Sequence, residues 1–384
     1  MSESNQINSL NLEEGKKRKN FFQIDLMKGV MISFVILDHA LSSYGPGFEL
    51  WERMAIPVFL IILGFNMGKS FKRGGKSSLK ELYSLSYFKK KFWRYIFPYI
   101  IFYMVSTTIG FIIYAIYGVN FLDTFHENWF VEYILFQKSL LEGPGNWFIP
   151  VLFQSILLMP LLYYLFTKKP VLSLIMCFAV EICMHLFLFF YIGPVTSIDV
   201  FLQELPFRQI IFLYLSAIGM GIWFSQDHKL FSKRNIFVWI LFPINLIYMI
   251  AWDFFGFRLQ INGSGIVRGD YNYLTFAYSA LIFLIVLRLL PKNPKSFIAK
   301  AISPLGKATY HIYLIQDLYY IILYIKFTDV WPPGSGGLVN PFGIASVDFL
   351  TNLGFYFVNL IICFSVGILW WYIEKKGLGL LLKR

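Results

Sequence analysis

Four ionisable side chains, Asp25, Lys28, Asp38 and His39, fall inside one apolar stretch, FFQIDLMKGVMISFVILDHAL, from Phe21 to Leu41. About 20 apolar residues are what a helix needs to cross roughly 30 Å of hydrocarbon. Ionisable groups at that depth cost kilocalories unless paired or hydrated, so they read as functional by default. An imidazole exchanges protons near neutral pH, and a neighbouring carboxylate can orient it, which makes His39 a candidate general base with Asp38 beside it. On a helix Asp38 points about 100° from His39, so a contact between them needs help from backbone or water. Lys28 and His39 are eleven residues apart, a net rotation of only about 20° and a rise of about 16 Å. They share one face, with Lys28 at the inner mouth and His39 in the outer half of the membrane. Asp25 precedes Lys28 by one turn, and as an i,i+3 pair the two can simply neutralise each other.

A stripe of this kind must be held by other helices, and the composition supplies them. The 384 residues are 57% hydrophobic, 20% aromatic and 15% charged, with a mean hydropathy of +0.60. Such a chain reads as an all-α integral membrane protein; the alternating ten-residue segments of an outer-membrane barrel are missing. Lys16, Lys17, Arg18 and Lys19 before the first apolar stretch look like a secretory signal. The stretch is too long and too polar for one, and no small-residue cleavage site follows, so it reads as a retained first span. Cys177, Cys183 and Cys363 lie in apolar runs, which argues against a disulfide framework or a thiolate metal cluster. No metal is expected.

Apolar runs of spanning length fall at 22–42, 51–70, 96–117, 147–166, 171–192, 207–225, 236–253, 272–291, 308–327 and 351–373. The two tails and alternate connections together hold 27 of the 34 Lys and Arg residues. Because Lys and Arg favour cytoplasmic loops, this predicts a bundle of ten transmembrane helices with both termini cytoplasmic. The organisation is then a cytoplasmic tail over 1–20, a membrane domain over 21–376 and a cytoplasmic tail over 377–384. A net charge of +12 follows from that topology and from attraction to anionic lipid, with no nucleic acid required. The inner segment KSFKRGGKSSLKELYSLSYFKKKFWR joins a Gly-rich turn to a basic amphipathic stretch at the membrane surface. No clear internal repeat is present, which weighs against a transporter built from repeated halves.

Several segments, taken in order, resemble one family. IDLMKGVMISFVILDHAL is similar to the first helix of the membrane acyltransferase 3 family, in which a basic residue stands eleven positions before a His; Lys28, Gly29 and His39 match. Pro57, Phe59, Gly64 and Phe65 fit its second-helix pattern, with Leu63 where a Ser is common. Lys91, Arg94 and Pro98 resemble the basic pair before its third helix, and Trp147 with Phe148 its W-F-L segment. Leu305, Gly306, Thr309, Tyr313 and Leu314 match a late motif in which Gln316 replaces a frequent His.

The resemblance implies transfer of an acyl group, most often acetyl, from cytoplasmic acyl-CoA to a hydroxyl of a cell-envelope polysaccharide or lipid-linked glycan. Lys91 and Arg94, with Lys28, are then the candidates for the CoA phosphates, the guanidinium as a fork and the ammonium groups as point charges. A pantetheine arm reaches about as far as the 16 Å that separate Lys28 from His39. Acceptor contacts are expected from Trp147 and Arg208 at the outer face; the plainer readings are an aromatic belt and a snorkelling arginine. Expected partners are the glycan acceptor, membrane lipid and proteins of polysaccharide synthesis or export. Glu181 and His185, four residues apart, read as an internal hydrogen-bonded pair, and His126, His228 and His311 carry no assigned chemistry. The alternative reading is a transporter or flippase in which the same stripe lines a path for protons or substrate.

Overall fold

The computed structural model describes residues 21–41, 50, 53–117, 145–192, 209–257, 259–261, 264–267, 271–292, 294, 296–327 and 349–381. Ten long helices run through these segments. They are α1 (Phe22–Leu41), α2 (Ala55–Arg73), α5 (Phe97–Tyr117), α6 (Phe148–Lys168), α7 (Pro170–Ile192), α8 (Leu215–Gln226), α9 (Ile236–Phe255), α10 (Tyr273–Leu289), α11 (Phe297–Phe327) and α12 (Phe349–Leu381). Two short helices, α3 (Leu79–Leu82) and α4 (Leu85–Lys91), precede α5. One small antiparallel pair, Gln260–Ile261 with Ser264–Gly265, links α9 to α10.

Each of the ten expected spans has a helix, and the limits differ in instructive places. Span nine, expected to start at 308, begins at Phe297, because Pro304 is tolerated inside α11 and does not start a new element. The basic surface stretch is not separate from the third span. α4 runs into α5 through a wide π turn, Phe92–Ile96, closed by the Phe97 N–H donating to the Phe92 carbonyl. The cause is local: Pro98 has no N–H to give, and its ring crowds the carbonyl four residues back, at Arg94. Widening the turn relieves that crowding. Such π turns occur disproportionately at functional sites.

Six helical runs among the described residues are long and apolar enough to cross a membrane: Ala55–Arg73, Leu79–Ile112, Phe148–Lys168, Pro170–Tyr191, Lys233–Phe255 and Tyr356–Gly377. α8 and α10 are apolar but shorter. Outside this set stand α1, with Asp25, Lys28, Asp38 and His39, and α11, with Lys307, His311, Gln316 and Asp317. The protein is a helical membrane protein whose two most polar long helices lie against each other.

The centre of the bundle is α2, 72% of whose spanning window is buried, against 28% around α9 and 17% in α12. Glycine makes that centre close-packed. A Cβ at Gly64 would stand 2.2 Å from the Ile218 carbonyl oxygen, and one at Gly221 2.1 Å from that of Ile61, so α2 and α8 touch backbone to backbone. Gly68 meets Ser225 one turn further on. Small residues four apart on facing helices are the usual means of close approach in lipid, where apolar burial gives helices little reason to associate. Ile240, Ile247, Ile361 and Leu369 are exposed on the outer helices, as expected of lipid-facing side chains.

Candidate active site

The seam between α1 and α11 positions the first helix's charges. At its Lys28 end a Cβ on Gly306 would stand 2.0 Å from the Asp25 carbonyl oxygen, so only glycine fits. The Lys28 ammonium uses that closeness: it donates to the Gly306 carbonyl and lies 3.2 Å from Asp25 Oδ1. Thr309 turns inward on its own helix, donating at 3.0 Å to the carbonyls of Leu305 and Gly306. Gln23 fastens the start of α1 to the end of α10 through the Leu287 carbonyl at 3.0 Å.

The cations of α4 and the π turn gather at the same end. Arg94 and Lys307 act on Lys28 as like charges, and Arg94 acts on Lys91. Lys91 Nζ lies 2.6 Å from Met67 Sδ and sits over the rings of Tyr87 and Tyr95, 5.5 and 5.4 Å from their centroids. Arg94 is exposed and lies 5.3 Å from the Tyr95 ring centre. α11 holds this turn directly, because Tyr310 donates to the Tyr95 carbonyl at 2.9 Å. Lys28, Lys91, Arg94 and Lys307 thus form one basic group drawn from α1, α4, the π turn and α11. Anion binding is what such an arrangement does best.

At the opposite end of α1, His39 Nδ1 lies 3.7 Å from Asp38 Oδ2. That is ion-pair range and too long for a hydrogen bond, so the carboxylate approaches the ring more closely than a 100° separation suggests, without bonding to it. Tyr320, fully buried, meets the imidazole edge to face at 5.8 Å and donates to the Ile36 carbonyl at 3.0 Å, one turn below His39. Asp317, one turn before Tyr320 on α11, and Gln316 are also fully buried. Tyr313 reaches from the middle of α11 to the Gly145 carbonyl and packs edge-on against Phe148. Trp147 is stacked on Tyr271 at 5.9 Å and tilted against Tyr214 at 5.4 Å, so its ring belongs to an aromatic cluster at the start of α6. Arg208 lies outside the described residues.

Other polar groups have structural employment. Glu181 accepts the Ser216 backbone N–H at 2.8 Å at the start of α8, and His185 lies edge-on to Tyr273 at 5.7 Å. Arg53 pairs with Asp253 at 3.3 Å and sits 3.9 Å over Trp252. His311, without an assigned role in sequence, is bonded to Glu374 at 3.0 Å between α11 and α12. Among the described residues no three His, Cys, Asp or Glu side chains form a metal-ligand set. Lys307, Tyr310 and Tyr320 were not legible as site residues. The available signal was helical spacing: Asp317 and Tyr320, three apart, share the face that meets His39.

A family model described as an acyltransferase domain, acyltransferase 3, matches residues 21–372. No curated protein and no solved structure matches the chain. The match takes in the whole α1–α11 seam, the π turn with its basic pair, and the glycine contacts of α2 and α8. With 352 of 384 residues inside one family model, the chain belongs to the acyltransferase 3 family.

Proposed function

We propose that this membrane acyltransferase moves an acyl group, acetyl foremost, from cytoplasmic acyl-CoA to a hydroxyl of a cell-envelope polysaccharide or lipid-linked glycan. The observation that carries the proposal is the α1–α11 seam, with a basic group at one end and an imidazole beside a carboxylate at the other. Lys28, Lys91, Arg94 and Lys307 neutralise the phosphates of the donor, whose arm extends beside α1 over the roughly 16 Å to His39. The acceptor oxygen attacks the thioester carbonyl carbon while His39 takes its proton. With Nδ1 turned toward Asp38, Nε2 is the nitrogen that serves. The carbon–sulfur bond then breaks, and the departing thiolate recovers that proton from the imidazolium, leaving an ester and free CoA. Trp147 and Arg208 contact the acceptor at the outer face.

His39→Ala is expected to lower transfer of radiolabelled acetyl groups to glycan by about 10²- to 10⁴-fold, the usual share of a general base. Protein abundance and acetyl-CoA binding should be little changed. Wild-type levels of glycan acetylation in the variant would remove His39 from the chemistry. Glycan that crosses the membrane unmodified in the presence of the wild-type protein would favour a transporter.

A further inference from the structure

A second cationic cluster lies at the inner end of the bundle, on α2, the α8–α9 connection and the α10–α11 connection. Its centre is His228, half-buried, whose ring meets Phe65 at 6.0 Å and Phe21 at 6.4 Å, nearly perpendicular to both. Phe21 and Phe65 meet each other at 6.2 Å, closing an aromatic triangle. Ammonium groups flank it on two sides, Lys69 Nζ 5.5 Å from the Phe65 ring centre and Lys292 Nζ 5.9 Å from that of Phe21. Lys72 and Arg73 are close enough to act on Lys69. The Lys292 carbonyl accepts the Phe22 N–H at 3.0 Å, which fixes this connection to the first turn of α1.

Among the described residues, cations outnumber carboxylates in this cluster. None of Lys69, Lys72, Arg73 and Lys292 forms an ion pair with a carboxylate among the described residues. Asp227 is the nearby acid and acts on both Lys69 and His228, while one of its oxygens accepts the Lys229 N–H at 3.1 Å and the other the Ser232 hydroxyl at 2.5 Å. Among the described residues Lys69, Lys72 and Lys292 act on the His228 imidazole and only Asp227 opposes them, an excess of positive charge that a bound anion offsets. A lone surface lysine needs no such partner. A half-buried ring with ammonium groups on two sides offers more donors than a single carboxylate uses, and a phosphate monoester has the oxygens and the charge to take them up.

We propose that Lys69, Lys292 and His228, backed by Phe21 and Phe65, form a phosphate-monoester site at the inner end, separate from the Lys28, Lys91, Arg94 and Lys307 group. The phosphate comes from a nucleotide or from an anionic lipid headgroup, and the two sources are separable. The test reads binding with no acyl donor or acceptor present, so it stands or falls apart from the transfer reaction.

The full-length protein would be placed in nanodiscs of zwitterionic lipid and titrated with adenosine 3′,5′-bisphosphate. A parallel arm would measure retention of phosphatidic acid by the purified protein, using mass spectrometry. Variants are Lys69→Gln, Lys292→Gln and their combination, with Lys80→Gln, an exposed inner-face residue outside the cluster, as the charge control. Each single variant is expected to weaken one of the two ligands about tenfold, the double variant further, and Lys80→Gln to do nothing. Loss in the nucleotide arm identifies a nucleotide phosphate; loss in the lipid arm alone identifies a headgroup. Unchanged binding in both arms for the double variant overturns the site, as does an equal loss with Lys80→Gln. His228→Gln, which keeps a neutral donor among the rings, serves if the double variant does not fold, and unchanged binding in both arms overturns the site equally.

Discussion

His228 lies among ammonium groups and aromatic rings, and its proton is held accordingly. Burial, and after it the charges of Lys69 and Lys292, keep its pKa below the ordinary imidazole value; Lys72 adds to this and Asp227 opposes it. Because the folded protein takes up this proton less readily than the unfolded chain, the stability tied to His228 is present above the ordinary imidazole pKa. It is lost as pH falls from that value toward the depressed one. Lys69→Gln should raise the pKa of His228, measurable by the pH dependence of its ring resonances in selectively labelled protein; an unchanged value would mean the ammonium does not face the ring. At the same scale, the sequence made some partnerships legible and hid others. Lys28 and His39 share a helix, so elementary geometry relates them. The Lys28 bond to Gly306 joins residues 278 positions apart, and Tyr320 reaches Ile36 across 284, which no local pattern encodes.

Helices in lipid are told apart by how closely they can approach, and glycine sets that distance here. Gly306→Ala places a methyl carbon against the Asp25 backbone, which cannot swing aside as a flexible side chain can. Gly29→Ala, on the other face of the same seam, meets Leu305 Cβ at an ordinary 3.4 Å. Thermal unfolding in detergent should show Gly306→Ala and Gly64→Ala less stable by about 1–3 kcal/mol, the usual cost of overpacking, and Gly29→Ala near wild type. Equal midpoints for Gly29→Ala and Gly306→Ala would show that the seam yields freely. The existence of all ten long helices was readable from runs of apolar residues, although only six helical runs among the described residues are long and apolar enough by themselves to cross a membrane. Where α11 begins and how α4 joins α5 were not, since those limits depend on whether neighbouring helices tolerate Pro304 and accommodate the turn before Pro98.

For the whole molecule, sidedness decides which substrate meets which group. The bias of Lys and Arg toward alternate connections predicts that the α2–α5 connection is cytoplasmic and that the end of α9 faces outward. In a background without native cysteines, Phe257→Cys should react with an impermeant thiol reagent in intact cells, and Lys80→Cys only after permeabilisation. The reverse pattern would put the basic group on the wrong side for a cytoplasmic donor. The contact of Tyr313 with Gly145 was not legible in the sequence, because a bond between residues 168 positions apart leaves no periodic trace.

The π turn before Pro98 acts as a one-residue phase shift between the amphipathic run that lies ahead of it and the spanning run behind. Removing Phe92 would give a more regular helix and a poorer protein. Tyr87 and Lys91 would swing about the axis away from the Ile156 carbonyl and Met67 that they now reach, while Tyr95 stayed bound to Tyr310. Chain length in this stretch is therefore a specification in its own right, and insertions belong in the exposed turn around Gly75, where nothing crowds the backbone.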